Sequence, residues 1–366
     1  MSRVYLYGII ATEEPTNPTI TGVDGISPVY IADHRGLGGV VSDYQGGELE
    51  ALPKDQLVQH LLRHQQVIEK VMAMGHTVLP IRFGTSLGDR EDLLSLLAQG
   101  QQRLAHELAL LQDRIEMEVA VTWDVDQVLQ QIAREEEIAG ARDNLTARGQ
   151  LTLADQINLG RIVKERLDQR RQVYQDRVLN SLSALAVDLV SNALLSDAMV
   201  ANAAFLLHRD RQRQFDLKVR QLDHLFAEEG LLEFNFRVIG PLPPYSFNTL
   251  EITPVSAERV EAAKQALCLE EVVSEAQVKQ AFRRLAARDQ SHDRSVNGLD
   301  ETRIVRRRQA ADLLTAYLRS NSTAPERCEK PGLPRRREKT FLISTRRSES
   351  SPIPAAPRGV PLAGRA

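Results

Sequence analysis

The sequence predicts an α+β protein, because segments with the alternation of strands and segments with the spacing of helices follow one another along the chain. Residues 4–10 and 115–123 alternate in side-chain character and are rich in β-branched or aromatic residues, which indicates strands. Residues 53–75 and 89–113 carry apolar residues at helical spacing, and residues 125–195 are almost entirely helical in pattern. This order predicts helices packed on one face of a sheet.

Residues 1–124 form the first predicted domain, with a ferredoxin-like α+β fold. The predicted elements are a strand at 4–10, two strands within 29–44 around a turn at 34–39, a helix at 53–75, a short strand at 77–83, a helix at 89–113 and a strand at 115–123. The apolar stripe of the first helix consists of Leu57, Leu61, Val67, Ile68 and Val71.

Residues 125–252 form the second predicted domain, a helical arm followed by an α+β unit. After a breaker at 140–152, apolar residues keep roughly helical spacing for about 40 residues, which is long for a globular helix and predicts a coiled coil or a projecting arm. These apolar positions are Leu153, Ile157, Val163, Leu167, Val173, Val178, Leu182, Leu185 and Leu189. A strand at 199–207, a helix at 211–229 and a strand at 231–240 follow, and the last strand places Leu232, Phe234, Phe236 and Val238 on one face.

The C-terminal part divides into a small helical segment at 256–320 and a tail at 324–366. The tail contains ten Lys or Arg and four Asp or Glu, and it is rich in Pro, Ser and Arg. Because it lacks the apolar content that would offset its ordering entropy, the sequence predicts a disordered basic tail.

Composition narrows the class of protein. Hydrophobic residues make up 42% and charged residues 26%, and the net charge of -3 gives no reason to expect nucleic-acid binding. The two cysteines, Cys268 and Cys328, are far apart and in no metal-binding spacing, which is typical of a reducing cytoplasm. We expect no signal peptide and no membrane-spanning segment, since the apolar runs are too short.

Three patterns in the sequence could indicate a chemical site, but structural roles explain them better. Residues 36–39 are glycine-rich but fit a hairpin turn rather than a dinucleotide site. His60 and His64 are four apart on a helix, without a third ligand, and we expect exposed helix histidines rather than a metal site. Asp124 and Asp126 fit a helix cap. The sequence therefore predicts no catalytic, cofactor or metal site, and no enzyme.

Arg82, in the segment LPIRFGTS, leaves two interpretations open. A charged residue between apolar neighbours at a strand end either forms a structural ion pair or faces a ligand. An enzyme that uses Arg82 and the nearby loop is therefore one hypothesis for the function, beside the two non-enzymatic hypotheses given below.

The segment GPLPPYSFNTLEI at 240–252 predicts a stiff corner after a strand. Pro241, Pro243 and Pro244 fix φ and lack ladder donors, so strand pairing is expected to stop there. Tyr245 and Phe247 then pin the corner to the core or present an aromatic edge to a partner.

Four segments occur in an order that resembles the gas vesicle protein F/L family. They are VYLYGI at 4–9, LPIRFGT at 79–85, NAAFLL at 202–207 and GPLPPYSF at 240–247, joined by the long helical middle, and the resemblance covers about residues 1–252. Two departures mark a divergent member. Leu242 replaces the tryptophan usual at the corner, and the strand at 115–123 lacks the Gly and Lys that the family often carries.

The resemblance implies a non-enzymatic accessory protein of gas vesicles, located in the cytoplasm at the vesicle. Its expected partners are the hydrophobic shell protein, whose aggregation it would limit during nucleation, and other gas vesicle accessory proteins; no nucleic acid, membrane or cofactor is implied. The family-motif and partner-binding candidates are Tyr7, Gly8, Arg82, Phe83, Gly84, Phe205, Phe234, Phe236, Gly240, Pro241, Pro243, Pro244, Tyr245 and Phe247.

Residues 266–289 resemble the start of a J-domain, a co-chaperone module. Residues 281–286 lie where its second helix carries a basic face, but the His-Pro-Asp loop that follows in the module reads QSHDRS here. This resemblance implies a retained helical scaffold with lost activation of the chaperone ATPase, and an unrelated helical hairpin is the alternative interpretation. It supports an alternative function, a chaperone adaptor acting through the C-terminal helices.

Overall fold

The computed structural model describes residues 3–12, 16–47, 49, 52–147, 149, 152–229, 233–270, 274–292, 299–321 and 340–348. The N-terminal elements are β1 (Arg3–Ala11), β2 (Val29–His34), β3 (Leu37–Tyr44), α1 (Lys54–Ala73), β4 (Val78–Pro80), β5 (Ser86–Leu87) and α2 (Arg90–Leu111). The middle elements are β6 (Arg114–Trp123), α3 (Val125–Ala133), α4 (Glu136–Ala147), α5 (Leu153–Ser183), β7 (Asp188–Ser191), β8 (Met199–His208), a 3-10 turn (Arg209–Arg211), α6 (Gln212–Glu228) and β9 (Phe234–Leu242). The C-terminal elements are β10 (Thr249–Val255), α7 (Ala257–Ala266), α8 (Glu275–His292), α9 (Leu299–Asn321) and β11 (Thr340–Arg346).

The predicted α+β class is confirmed, since antiparallel sheets and long helices make up the chain. The chain divides into two compact units. The first contains Met1–Gln112 and Pro243–Arg347, and the second contains Asp113–Leu242. Of the helices that the structure describes, none combines the length and the apolar character needed to cross a membrane.

The first unit is built on an antiparallel sheet of order β2-β3-β1-β4, with β5 also paired to β1. The turn between β2 and β3 contains Arg35 and Gly36, whose φ angles are 51° and 85°. Positive φ at both positions suits a two-residue hairpin loop, so the hairpin predicted around residues 34–39 is confirmed. The core joins this sheet to α2 through Val4, Leu6, Ile9, Val41, Leu79, Leu93, Leu96, Leu97, Leu104 and Leu108.

Two further parts complete the first unit. Strands β10 and β11 form a two-stranded antiparallel sheet, and Leu250, Phe341 and Ile343 from these strands belong to the same core as α2. Helices α7, α8 and α9 enclose a core of their own, made of Val255, Val260, Ala263, Leu267, Val278, Ala281, Leu285, Ala310, Leu314, Tyr317 and Leu318.

The second unit is built on an antiparallel sheet of order β7-β8-β6-β9. Helix α3 begins after Asp124, whose side chain accepts from the N–H groups of Asp126 and Gln127, so the predicted cap is confirmed. Helix α5 begins with a capping box in which Thr152 and Asp155 bond each other's main-chain N–H.

The division into units differs from the predicted boundary at residue 124. Strand β6 was expected to close the N-terminal domain, but it lies between β8 and β9 in the second unit. A strand's own residues establish its alternation and leave open which partner it pairs with, because pairing depends on segments distant in sequence. The ferredoxin-like assignment of the N-terminal domain stays a prediction.

The long helix is shorter than its apolar pattern suggested. Helix α5 ends at Ser183 after 31 residues, so Leu185 lies beyond it and Leu189 belongs to β7. The leucine spacing happens to continue across the helix end, and a four-residue strand is too short to show its own period. The coiled-coil assignment stays a prediction.

The predicted disorder of residues 324–366 is wrong for residues 340–346, which form β11. Phe341 and Ile343 are 0% and 2% exposed, and this burial, together with pairing to β10, offsets the ordering entropy that composition alone left unopposed. The rest of the predicted tail, apart from residues 347 and 348, lies outside the described residues.

Strand pairing continues past the point where prolines were expected to end it. Strand β9 runs to Leu242, which pairs with Glu116 after a register shift, and the Gly240–Pro241 peptide is cis. An edge strand tolerates proline because one of its sides needs no ladder donors.

We predict that Phe205→Ala destabilises the second unit by about 3–5 kcal/mol, the usual cost of emptying a buried aromatic site. Phe205 is fully buried and its ring centroid lies 5.2 Å from that of Phe215. Urea unfolding followed by the fluorescence of Trp123, the single tryptophan, measures this unit directly. Leu195→Ala is the control, since Leu195 is 81% exposed, and a change there as large as at Phe205 would contradict the packing described.

Candidate protein-interaction surfaces

The predicted motif residues lie in two sets, one in each unit. The first unit contains Tyr7, Gly8, Arg82, Phe83, Gly84, Pro243, Pro244, Tyr245 and Phe247, and the second contains Phe205, Phe234, Phe236, Gly240 and Pro241.

Tyr7 and Gly8 on β1 hold the first unit together from inside. Tyr7 is fully buried, and its hydroxyl lies 2.8 Å from Ser42 Oγ and accepts from Val23 N at 2.6 Å. Burial raises the pKa of Tyr7 to about 12, so the hydroxyl stays neutral. At Gly8, an added Cβ would lie 2.7 Å from Val78 Cγ1, so β1 and β4 approach too closely for a side chain.

A cluster of Tyr5, His64, Phe83 and Gly84 lies beside Tyr7, and within it only Tyr5 and His64 are buried. Tyr5 Oη accepts from Gly84 N at 3.1 Å and forms a hydrogen bond of 2.9 Å with His64 Nδ1. The Phe83 ring meets the His64 ring edge to face at 5.5 Å between centroids. Burial raises the pKa of Tyr5 and lowers the pKa of His64 to about 4, so both groups stay uncharged at neutral pH.

The expectation that His64 is an exposed helix histidine is wrong, since it is 1% exposed. Its position on α1 carried the necessary signal: His64 stands three, four and seven residues before Val67, Ile68 and Val71, all fully buried. Conversely, Leu61, which was placed on the apolar stripe, is 46% exposed. Tyr5, which stands two residues before Tyr7 on β1, was also absent from the predicted site residues.

Arg82 lies at a polar cleft of about 370 Å³ in the first unit. Arg82 Nη1 lies 3.7 Å from Glu251 Oε1, and Arg346 Nη1 lies 3.4 Å from the same oxygen. The cleft is also lined by Arg3, Tyr5, Tyr44, Phe83, Gly84 and Ile252. The Arg82 side chain is 60% exposed, so its ion pair is strongly screened and contributes little to stability.

The cleft offers hydrogen-bond donors rather than an acid and base pair. Glu251 is shared by two guanidinium groups, and Tyr5 is held neutral by burial. Among the described residues, no group of three or more His, Cys, Asp or Glu is placed to hold a metal ion.

The proline corner is a packed turn where it enters the first unit. Pro243 and Pro244 are buried, and the N–H of Phe247 donates to Pro244 O at 3.1 Å. Tyr245 and Phe247 are half-buried, and Thr249 Oγ1 donates to Tyr245 O at 2.8 Å. This geometry favours the packing interpretation of residues 243–249.

In the second unit, the motif residues form part of an aromatic core. Phe205 is buried, and Phe234 lies 4.8 Å from both Tyr174 and Phe226, while Phe236 lies 5.6 Å from Phe226 (ring centroids). Gly240 and Pro241 are exposed at the end of β9.

Strand β9 presents apolar side chains at an open edge. Among the strands described, β9 pairs with β6 alone, so its other edge is unpaired. Val238 and Ile239 are each 36% exposed, and as neighbours on a strand they point to opposite faces. A second apolar surface, on α1, consists of Val58, Leu61 and Leu62, which are 48%, 46% and 53% exposed.

These features define an α+β protein of two units, whose motif residues serve mainly in packing, in strand termination and at one open sheet edge. The chain belongs to the gas vesicle protein GvpL/GvpF family. The family model described as gas vesicle synthesis protein GvpL/GvpF matches residues 3–249.

Similar proteins agree with this family. Gas vesicle protein F of Streptomyces sp. (strain CB03234) is 32% identical over 246 residues, which is 66% of this chain and 98% of that protein. Gas vesicle protein L1 of Halobacterium salinarum is 27% identical over 268 residues, covering 66% of this chain and 89% of that protein.

Solved structures support the fold. The crystal structure of GvpF from Anabaena sp. PCC7120 matches with a TM-score of 0.59 and 26% identity, covering 67% of this chain and 98% of that one. GvpF from Microcystis aeruginosa matches in fold with a TM-score of 0.55 at 23% identity. Because the family match ends at residue 249, helices α7–α9 and strand β11 lie beyond it.

We predict that His64 makes the protein less stable in mild acid. Its pKa is about 4 in the folded chain against an ordinary 6.5, so the unfolded chain binds the proton more strongly between these values. The stability that the neutral imidazole provides is present above pH 6.5 and falls as the pH drops towards 4, by roughly 3 kcal/mol at about 1.4 kcal/mol per pKa unit.

Urea unfolding of wild type and His64→Asn, followed by circular dichroism from pH 7 to pH 4, measures this dependence. The difference between the two proteins should shrink as the pH falls. His224→Asn is the control, because the His224 side chain is 74% exposed. Parallel pH profiles for wild type and His64→Asn would rule out a neutral buried His64.

Proposed function

We propose that this protein is a gas vesicle assembly factor that binds the hydrophobic shell protein and limits its aggregation during vesicle nucleation. Membership in the gas vesicle GvpL/GvpF family supports a role in gas vesicles. We further propose that it acts in the cytoplasm at the vesicle, together with other gas vesicle accessory proteins, and that it acts without catalysis.

The shell protein is expected to need such a factor before it assembles. A protein that builds a gas-facing wall must expose apolar surface before assembly, and exposed apolar surface leads to aggregation. A binding partner that covers this surface temporarily needs apolar contacts with a polar rim rather than catalytic groups.

The observation that carries the proposal is the open edge of β9. An unpaired edge offers main-chain N–H and C=O groups to an added strand, and alternate side chains give specificity. Val238 and Ile239 supply apolar contacts on the two faces, while Asn235 and Arg237 are exposed beside them and form a polar rim. We propose that an extended apolar segment of the shell protein binds along this edge.

A chaperone adaptor that acts through α7, α8 and α9 is the second candidate. Helix α8 buries Ala281 and Leu285 in the three-helix core and exposes Arg283 and Arg284, which favours a basic docking face. Residues 293–298, where the J-domain loop would follow, lie outside the described residues. If shell-protein binding required this region, a chain without residues 256–366 that remains folded would no longer bind.

We predict that Val238→Asp combined with Ile239→Asp weakens protection of the shell protein. The concentration that halves shell-protein aggregation, followed by light scattering, should rise about tenfold, equivalent to about 1.4 kcal/mol of binding free energy. Val173→Asp is the matched control, because Val173 is 59% exposed on α5 of the same unit.

Two outcomes distinguish an error in the proposed function from an error in the proposed binding surface. Shell protein that aggregates equally with and without the wild-type chain would refute the proposed function. If Leu61→Asp with Leu62→Asp abolished protection while the β9 variant did not, the function would stand and the binding surface would lie on α1.

A further inference from the structure

The C-terminal strand β11 occupies a groove in the first unit that we name the α2–β10 groove. The groove is formed by Gln99, Gly100 and Arg103 of α2, Ser320 of α9, and one edge of β10. It binds a segment about 240 residues away from α2 in sequence. Since the family match ends at residue 249, the occupant lies outside the matched region.

Strand β11 is recognised through its main chain on both sides. On one side it pairs antiparallel with β10 over seven residues, from Thr249↔Arg346 to Val255↔Thr340. Alternate residues of an antiparallel strand direct both main-chain polar groups away from the partner strand. Phe341 and Ile343 are two such residues, and side chains of the groove bond all four of their groups.

The side chain of Gln99 bonds both main-chain polar groups of Phe341. Its Nε2 donates to Phe341 O at 3.3 Å, and its Oε1 accepts from Phe341 N at 3.1 Å. Arg103 Nη1 donates to Ile343 O at 2.6 Å, and Ser320 Oγ accepts from Ile343 N at 2.9 Å. An amide side chain that has one donor and one acceptor aligned with the C=O and N–H of a single residue recognises extended backbone of any sequence.

The inward side chains provide the selectivity. Phe341 is 0% and Ile343 is 2% exposed, and both lie in the core with the leucines of α2. An added Cβ on Gly100 would lie 2.6 Å from Ile343 Cδ1, so the missing side chain of Gly100 makes room for the isoleucine. Ser344 and Thr345, by contrast, are exposed.

We propose that the α2–β10 groove is a binding site for an extended peptide segment with apolar residues two positions apart. Residues 340–346 of the same chain are its resident occupant, held without covalent bonds and exchangeable with a free peptide of the same sequence. Main-chain pairing at a sheet edge combined with pockets for alternate side chains is how proteins bind peptides by strand addition.

The proposal can be tested with the full chain after a protease site is inserted between residues 322 and 339. After cleavage of the folded protein, the C-terminal fragment should remain bound through gel filtration. An excess of fluorescein-labelled peptide of residues 338–348 should then displace it, measured by fluorescence anisotropy and by mass spectrometry of the released fragment. A peptide with Ser344→Ala and Thr345→Ala should compete equally, and one with Phe341→Asp and Ile343→Asp should not compete.

Substitutions of groove residues provide a second test of the proposal. Gln99→Leu removes two hydrogen bonds and should speed release of the cleaved fragment by about tenfold. Gln101→Leu on the same helix is the control, because the Gln101 side chain donates to Arg35 O instead of β11.

Four results of the cleavage, competition and variant experiments would overturn the proposal. They are loss of the fragment immediately after cleavage, failure of excess peptide to displace it, equal competition by the peptide with two aspartates, and equal release rates for the two glutamine variants. An uncleaved chain that runs as a dimer and becomes monomeric on peptide addition would assign the occupant to a second copy, which contradicts binding within one chain.

Discussion

Burial of the apolar face of α2 is the interaction on which the first unit depends. Leu93, Leu96, Leu97 and Leu104 are each fully buried, and they join the antiparallel sheet of β1–β5 to strands β10 and β11 in one core. The same helix carries Gln99 and Arg103, which satisfy main-chain groups of β11. Because one helix serves both the N-terminal sheet and the C-terminal strand, segments from the two ends of the chain fold as one unit.

The second unit depends on a comparable contact between a helix and a loop. Arg171 of α5 has a side chain 10% exposed and bonds the carboxylates of Asp168 and Asp197 at 2.5 Å and 2.9 Å. Trp123 Nε1 donates to Asp197 O at 2.8 Å, so the loop before β8 is held from two sides. The two carboxylates pair with this buried guanidinium, whose charge would be costly to leave unpaired.

The proposed function rests on surfaces rather than on reactive groups. The residues that carry the family resemblance are largely buried: Tyr7 and Phe205 build cores, and Pro243 and Pro244 pack in a turn. Val238 and Ile239 on β9, and Val58, Leu61 and Leu62 on α1, are exposed instead, and nothing in the family motif pointed to α1. The motif residues Phe234 and Phe236 lie on β9, which carries the proposed binding edge, whereas Tyr7 and Phe205 pack in the cores.

The sequence by itself determined the α+β class, the positions of most helices and strands, the hairpin at Arg35 and Gly36, the cap at Asp124 and the family. All of these depend on local periodicity, backbone preferences or short motifs. Only the tertiary structure decided that β6 pairs with β8 and β9, that His64 bonds Tyr5, and that β11 folds onto β10 and α2. The physical reason is that strand pairing and side-chain burial depend on contacts between residues far apart in the chain, which local patterns do not specify.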